Sequence, residues 1–301
     1  MNGHIWTVLP HLRNRMRRDP EPSDIPWATT VDDPQVGAVR LTGALRRVAG
    51  SDTVALIIHG LGGNADAGYC LDAADAVHAA GWSSLRLHLR GADGLGQDLY
   101  HAALTSDLDA ALASQELAGF ARVVVIGFSL GGHLALRYAL QPAARVHRVV
   151  AVCSPLDLAK SALAFDRRRA TPYRVHVLRE LKGAVATADR RGVFRGQAPA
   201  VMAVRTIREW DRHAVVPRFD FDDVADYYAT ASVGPRLAGL AVPALYIGAP
   251  LDPMVPRFTV QDALDNANGR VAQRWIDGDA GHVGFRDPGV FTDMIAWAAT
   301  P

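Results

Sequence analysis

A serine at position 129, an aspartate at 252 and a histidine at 282 lie far apart in the chain, yet together they have the chemistry of an acyl-transfer site. Ser129 stands in Gly127-Phe128-Ser129-Leu130-Gly131-Gly132. A G-x-S-x-G run of this kind places its serine on a sharp strand-to-helix turn, with the hydroxyl raised above the sheet. A hydroxyl is a weak nucleophile at neutral pH and needs a base, an orienting acid and donors for the developing oxyanion. His282, in Asp279-Ala280-Gly281-His282-Val283-Gly284, follows the last apolar run. An imidazole of ordinary pKa, about 6.5, both takes and returns a proton near pH 7. Asp252, in Pro250-Leu251-Asp252-Pro253, gives the chain order Ser, Asp, His. Asp277 and Asp279 are rival carboxylates on the loop of His282 itself, and Asp252 is preferred over them. For the oxyanion, the Leu130 amide follows the nucleophile, and the Leu61 amide lies in His59-Gly60-Leu61-Gly62-Gly63. These glycines do not read as a phosphate cradle, since no G-K-[ST] follows and the spacing is not G-x-G-x-x-G. Gly60, Phe128, Tyr100 and Trp210 are the expected substrate contacts.

Such residues need a scaffold, and the apolar runs supply one. Val54–Ile58, Leu85–Leu89, Arg122–Ile126, Val146–Val152, Ala244–Ile247 and Val271–Ile276 have strand length and no strict alternation, as strands covered on both faces do. Helical spacing recurs over Ala67–Ala80, Thr105–Leu117, Leu130–Leu140, Phe258–Ala267 and Phe291–Ala298. Strand and helix alternate, which predicts an α/β fold with a mostly parallel sheet and helices on both faces. Gln35–Ala49 reads as antiparallel edge strands, and Pro-rich Asp19–Pro26 as an extended linker. Between Ser154 and Pro243 the alternation stops. From Asp166 to Arg212 there are twelve Lys/Arg against five Asp/Glu, followed by acidic Asp220, Asp222, Asp223 and Asp226. The expected division is a core of residues 1–155 and 236–301, with residues 156–235 inserted as a helical cap, since long insertions in compact domains are usually functional.

Composition narrows the classes. A chain of 301 residues with 49% hydrophobic residues can bury a sizeable core without staples. Two cysteines, Cys70 and Cys153, make neither a disulfide framework nor a zinc spacing, so no metal is expected. A net charge of +1 argues against a nucleic-acid binder. No apolar window has the length of a membrane span. Arg13, Arg15, Arg17 and Arg18 follow the first apolar stretch, which inverts the order of a signal peptide, so the expected location is cytoplasmic. Ile5, Trp6, Val8, Leu9, Leu12 and Met16, interrupted by Pro10, offer at most a peripheral membrane contact. Whether the chain forms a homo-oligomer is open.

The whole series resembles the α/β-hydrolases, and among them the YheT-like branch of esterases and acyl hydrolases. The resemblance rests on Gly3-His4 with Thr7 and Pro10, His59 to Gly63, Arg90-Gly91-Ala92-Asp93-Gly94 and Tyr100-His101. It continues through Gly127 to Gly132, Ser154-Pro155-Leu156-Asp157-Leu158, Asp226-Tyr227-Tyr228 with Ser232, Asp252-Pro253 and Gly281 to Phe285. It implies a Ser129, Asp252, His282 triad, a small-molecule acyl-ester substrate and no cofactor. Leu251 and Asp93 depart from the family pattern, which bears on substrate preference. Two other readings share these residues: an acyltransferase that passes the acyl group to an alcohol, and a binding protein on the same scaffold without catalysis. Arg90 is expected to tie loops together, and His133 and Tyr138 to pack behind the serine.

Overall fold

A computed structural model describes residues 3–8, 24–194 and 196–300. Eight strands form one sheet in the order β1-β2-β4-β3-β5-β6-β7-β8. They are β1 Asp24–Asp33, β2 Gly37–Arg46, β3 Thr53–Ile58, β4 Ser83–His88, β5 Arg122–Phe128, β6 Arg148–Val152, β7 Ala244–Gly248 and β8 Val271–Trp275. Strands β3 to β8 run parallel, while β2 is antiparallel to both β1 and β4. Every residue of β3, β6 and β7 is buried, as strands rich in Val, Ile, Leu and Ala under two helical layers must be. One apolar cluster fills each face of the sheet, the first around Leu56, Val125 and Leu134, the second around Ile57, Ile126 and Met294.

The helices are α1 (residues 3–8), α2 Gly68–Ala79, α3 Ser106–Ala113, α4 Gln115–Ala118 and α5 Leu130–Ala139, followed by six between β6 and β7. Those six are α6 Leu158–Phe165, α7 Thr171–Asp189, α8 Ala198–Ala203, α9 Ile207–Trp210, α10 Val216–Arg218 and α11 Val224–Ala231. A π-helical turn, Asp211–Val215, joins α9 to α10. Two more, α12 Gln261–Asp265 and α13 Gly289–Ala299, complete the core. No strand occurs between β6 and β7 among the described residues, so the break in alternation read from the sequence is a helical excursion between two neighbouring interior strands.

Three expectations change. The predicted helix Thr105–Leu117 is two helices, because Ser114 adopts an extended backbone (φ −59°, ψ 151°) and turns its hydroxyl back to the Ala111 carbonyl. The predicted linker Asp19–Pro26 is strand from Asp24 onward; Pro26 is tolerated because β1 is the sheet edge, and residues 19–23 lie outside the described residues. Phe258–Ala267 shortens to α12 behind a 3₁₀ turn, Arg257–Thr259. Of the N-terminal apolar stretch, Ile5 and Val8 are exposed on α1, and residues 9–16 lie outside the described residues. Among the described residues no helix is long and apolar enough to cross a membrane.

Candidate active site

The turn between β5 and α5 holds Ser129 at φ 51°, ψ −120°, a conformation that costs an L-residue free energy and that the surroundings must impose. Its amide donates to the Val152 carbonyl at 2.8 Å, and its carbonyl accepts from the Gly132 and His133 amides. The three glycines have no alternative. A Cβ on Gly127 would lie 2.2 Å from the Gly131 carbonyl oxygen, one on Gly131 2.4 Å from that of Ile58, and one on Gly132 1.9 Å from Ser154 Oγ. Helix and strand are thus pressed together until only hydrogen fits between them, and the serine is what projects.

Asp252 and His282, thirty residues apart, meet: the imidazole Nδ1–H donates to Asp252 Oδ2 at 2.8 Å. The other oxygen, Oδ1, accepts from the Met254 amide at 2.7 Å and the Val255 amide at 2.9 Å. A carboxylate held by three donors fixes the tautomer of His282, leaving the Nε2 lone pair as its base. The rival carboxylates are placed elsewhere, Asp277 exposed and Asp279 paired with Arg286. Ser129 Oγ is not hydrogen-bonded to His282 among the described residues, a contact that in resting hydrolases is often long and tightens around substrate. Ser129 lines one cavity with Met254 and Val255, the two residues whose amides hold Asp252.

Sequence reasoning assigned no task to Thr7. The His282 amide donates to Thr7 Oγ1 at 2.9 Å. A Cβ on Gly281 would fall 2.2 Å from the Gly3 carbonyl oxygen, and one on Gly3 2.0 Å from that of Leu251. Helix α1 therefore clamps the loops of both Asp252 and His282, and His4 Nδ1 lies 2.8 Å from the Tyr173 hydroxyl of α7. The only sign in the sequence is the Gly3, His4, Thr7 pattern of the resemblance.

The loop after β3 is pinned just as firmly. His59 Nε2 accepts the Leu89 amide at 3.1 Å, so Nδ1 carries hydrogen and donates to the Gly60 carbonyl at 2.8 Å. Burial pushes this imidazole down to about 3, which keeps it neutral. The Gly63 amide also donates to Gly60 O. A planar peptide whose carbonyl is fixed on one side points its N–H to the other, so Leu61 N–H is aimed away from these bonds. Phenols hold the neighbouring amides: Gly60 N–H donates to Tyr69 at 3.1 Å and Gly62 N–H to Tyr100 at 2.7 Å. The amides of Leu61 and Leu130 have no acceptor among the described residues. Tyr69 carried no motif and escaped the sequence reading.

A cavity of about 90 Å³ opens over Ser129, with Leu61, Leu130 and Tyr100 from the core and Phe165, Trp210 and Tyr228 from the inserted helices in its wall. Gly60 contributes close approach instead of a wall; a Cβ there would lie 2.9 Å from Ser129 Cβ. Phe128 is a correction: its side chain alternates to the opposite face of the sheet, where it packs on Tyr69 and Phe291. Beyond the cavity, Arg90 does tie loops, bonding Asp107, Asp98 and Asp33, and Arg218 of α10 joins Asp98 and Asp33 from the inserted segment. Burial works against Asp33, but the Gln35 amide, Arg90 and Arg218 hold its carboxyl down to about 2. His133 reaches from α5 to the carbonyls of Pro155 and Ala231, and burial pushes it down to about 4.

Sulfur and ligand-type atoms of Cys153, Asp252 and His282 lie within 4.8 Å of one another. Nδ1 is committed to Asp252, and burial raises the Cys153 thiol well above its ordinary range.

The family model described as alpha/beta hydrolase fold matches residues 54–287. An Escherichia coli (strain K12) protein called "Putative esterase YheT" is 27% identical over 94% of this chain and 84% of its own length. Human phospholipase ABHD3 is 24% identical over 76% of this chain and 58% of its own length. The crystal structure of the Pyrococcus furiosus esterase Pf2001 superposes with a TM-score of 0.57 at 18% identity, covering 91% of this chain and 87% of that one, and shares the fold. With a matching model over most of its length, the chain belongs to the α/β hydrolase fold family.

Proposed function

We propose that the protein is a serine carboxylesterase acting on small to medium acyl esters. Ser129 Oγ attacks the ester carbonyl as His282 Nε2 takes its proton, and Asp252 stabilises the imidazolium that results. Negative charge on the tetrahedral oxygen is met by the Leu61 and Leu130 amides, each such donor contributing about 10²–10³ in turnover. The imidazolium returns its proton to the departing alcohol, leaving an acyl-Ser129 ester. Water, deprotonated by His282, then attacks that ester and releases the acid.

The observation that carries this reading is the Asp252–His282 hydrogen bond, which leaves Nε2 free as a base, with Met254 and Val255, whose amides hold Asp252, in the wall of the cavity that Ser129 lines. Two unpaired amides next to that serine suit an oxyanion, and the apolar wall suits a hydrocarbon chain. Relatives named as an esterase and a phospholipase agree in ester hydrolysis. Residues 156–235, as a cap, would set which chain fits.

Ser129→Ala abolishes hydrolysis of short p-nitrophenyl esters and labelling by a fluorophosphonate probe, with unchanged circular dichroism. Retained turnover in that variant would overturn the assignment.

A further inference from the structure

The mechanism uses one hydroxyl of the cavity and leaves two polar groups of its wall without a task. Ser161 on α6 and Asp211 in the π turn after α9 line the same cavity as Ser129. Ser161 is 8% exposed, and its Oγ has no hydrogen-bond partner. A serine inside a helix ordinarily turns to solvent or bonds the carbonyl four residues earlier. Here the Asp157 carbonyl accepts the Ser161 amide and not the hydroxyl. Asp211 is 7% exposed, and the one hydrogen bond of its carboxyl among the described residues is to Oδ2, from the Tyr228 hydroxyl at 2.6 Å. The rest of the roof wall is apolar, with Phe165, Ile207 and Trp210 in it, apart from Tyr227 and Tyr228, whose hydroxyls are already bonded to the Ala102 amide and to Asp211. Buried polar groups are normally paired, so two with spare capacity in an apolar wall point to a partner that arrives from outside. π turns within helices recur at functional sites.

We propose that Ser161 and Asp211 form a hydroxyl-recognition subsite, so that the ester chain held in the cavity carries an alcohol group. That alcohol donates its hydrogen to Asp211 Oδ1 and accepts one from the Ser161 hydroxyl, which a single χ1 rotation brings to the cavity. The inference rests on Ser129 being the nucleophile and adds the class of substrate. An alcohol is both donor and acceptor and satisfies both residues. A ketone has nothing to donate to Asp211 when that carboxyl is ionised, and an ammonium has no lone pair for the Ser161 hydrogen. Burial, partly offset by Tyr228, pushes the Asp211 carboxyl up to about 7, which suits an uncharged partner over a cation.

The alcohol group belongs either to the acyl chain or to the leaving alcohol, and the experiment separates the two. Released acid is titrated for four ester sets of equal length: unsubstituted, hydroxylated at successive acyl carbons, unsubstituted acyl monoesters of diols, and amino-substituted at the same acyl carbons. The expected result is a kcat/KM advantage of about tenfold for one hydroxylated set at one position over the unsubstituted set, the order expected of a hydrogen bond to a carboxyl group. Ser161→Ala brings that ratio close to one, and Asp211→Asn, which keeps an acceptor for Tyr228, lowers it. Ratios below about twofold at every position, an advantage retained in both variants, or a preference for the amino esters would overturn the subsite. Should no ester be turned over, the Ser129 reading fails by itself, and calorimetric titration judges the subsite. Hydroxylated carboxylic acids then bind the wild-type protein about tenfold more tightly than unsubstituted ones, and equal affinity overturns it.

Discussion

The floor of the cavity and its roof are built by opposite rules. On the floor, loops at the ends of β3, β5, β7 and β8 are fixed by backbone contacts so close that Gly127, Gly131, Gly132 and Gly281 leave no space for a methyl group. Polar groups there are bonded repeatedly, Asp252 by three donors and the Gly60 carbonyl by two. In the roof, Gly183, Gly192 and Gly196 would meet nothing within 4 Å if they carried a Cβ, and the contribution to the cavity is made by side chains such as Phe165 and Trp210. The two are joined by side-chain links, among them Arg218 with Asp98 and Asp33, His133 and Arg137 with Ala231, the Tyr227 hydroxyl with the Ala102 amide, and His4 with Tyr173. A floor held by main chain keeps reacting groups in place whatever chain enters above it, while a roof of side chains can be exchanged to change that chain.

The largest test of this contrast is on the floor. Asp252→Asn preserves shape and the Met254 and Val255 bonds but puts an amide where His282 needs an acceptor, and about 10⁴-fold loss of kcat is the expected order. A loss below about 100-fold would show that His282 is oriented by other groups, such as the bond from its amide to Thr7. Next comes Gly132→Ala. Its methyl would overlap Ser154 Oγ and approach the Gly127 carbonyl at 2.8 Å, so either the elbow opens or α5 shifts. A cost of about 3 kcal/mol, read by denaturant midpoint, is the scale of such overpacking.

This division also explains what could be read from the sequence. Floors of this kind are written in short patterns because tight backbone approach demands glycine and acyl-transfer chemistry demands particular side chains; G-F-S-L-G-G, H-G-L-G-G and G-H-V-G each say where they sit. The buried parallel strands were equally legible, since Val, Ile, Leu and Ala fill most positions covered on both faces. Phe128 was misread as a substrate contact because adjacency to Ser129 in sequence does not survive the alternation of a strand, which sends it through the sheet. Thr7 and Tyr69 were missed because their partners, His282 and Gly60, are set by how distant elements pack and not by spacing. In the roof, helices were expected, but neither the unpartnered hydroxyl of Ser161 nor the buried carboxyl of Asp211 leaves a mark in a one-dimensional pattern.

Thr7→Val asks whether the clamp from α1 belongs to the floor. Valine keeps the volume but gives the His282 amide no acceptor, so the loop loses one anchor while the Asp252 bond remains. A drop of about fivefold in kcat/KM for short esters is expected, the order of one hydrogen bond of about 1 kcal/mol expressed in the orientation of the base. Thr7→Ser, which retains the oxygen, restores most of it. Equal activity of the valine and serine variants would move Thr7 out of the site's positioning machinery.

The smallest effect tests the roof. Gly183 lies in the interior of α7, a 19-residue helix, with helical backbone and no atom within 4 Å of where a Cβ would be. Nothing in its environment demands glycine, and glycine there is costly because it leaves the unfolded chain more freedom than alanine does. Gly183→Ala should therefore stabilise the protein by about 0.5–1 kcal/mol, a rise in Tm of a few degrees at most for a chain of this size, with ester turnover unaltered. The sign is what matters. The same replacement at Gly132 must destabilise and at Gly183 must stabilise if the floor is fixed by main-chain contact and the roof is not. Should Gly183→Ala lower Tm, α7 would be constrained by neighbours as closely as the serine elbow, and the roof could no longer be treated as the adaptable half of the cavity.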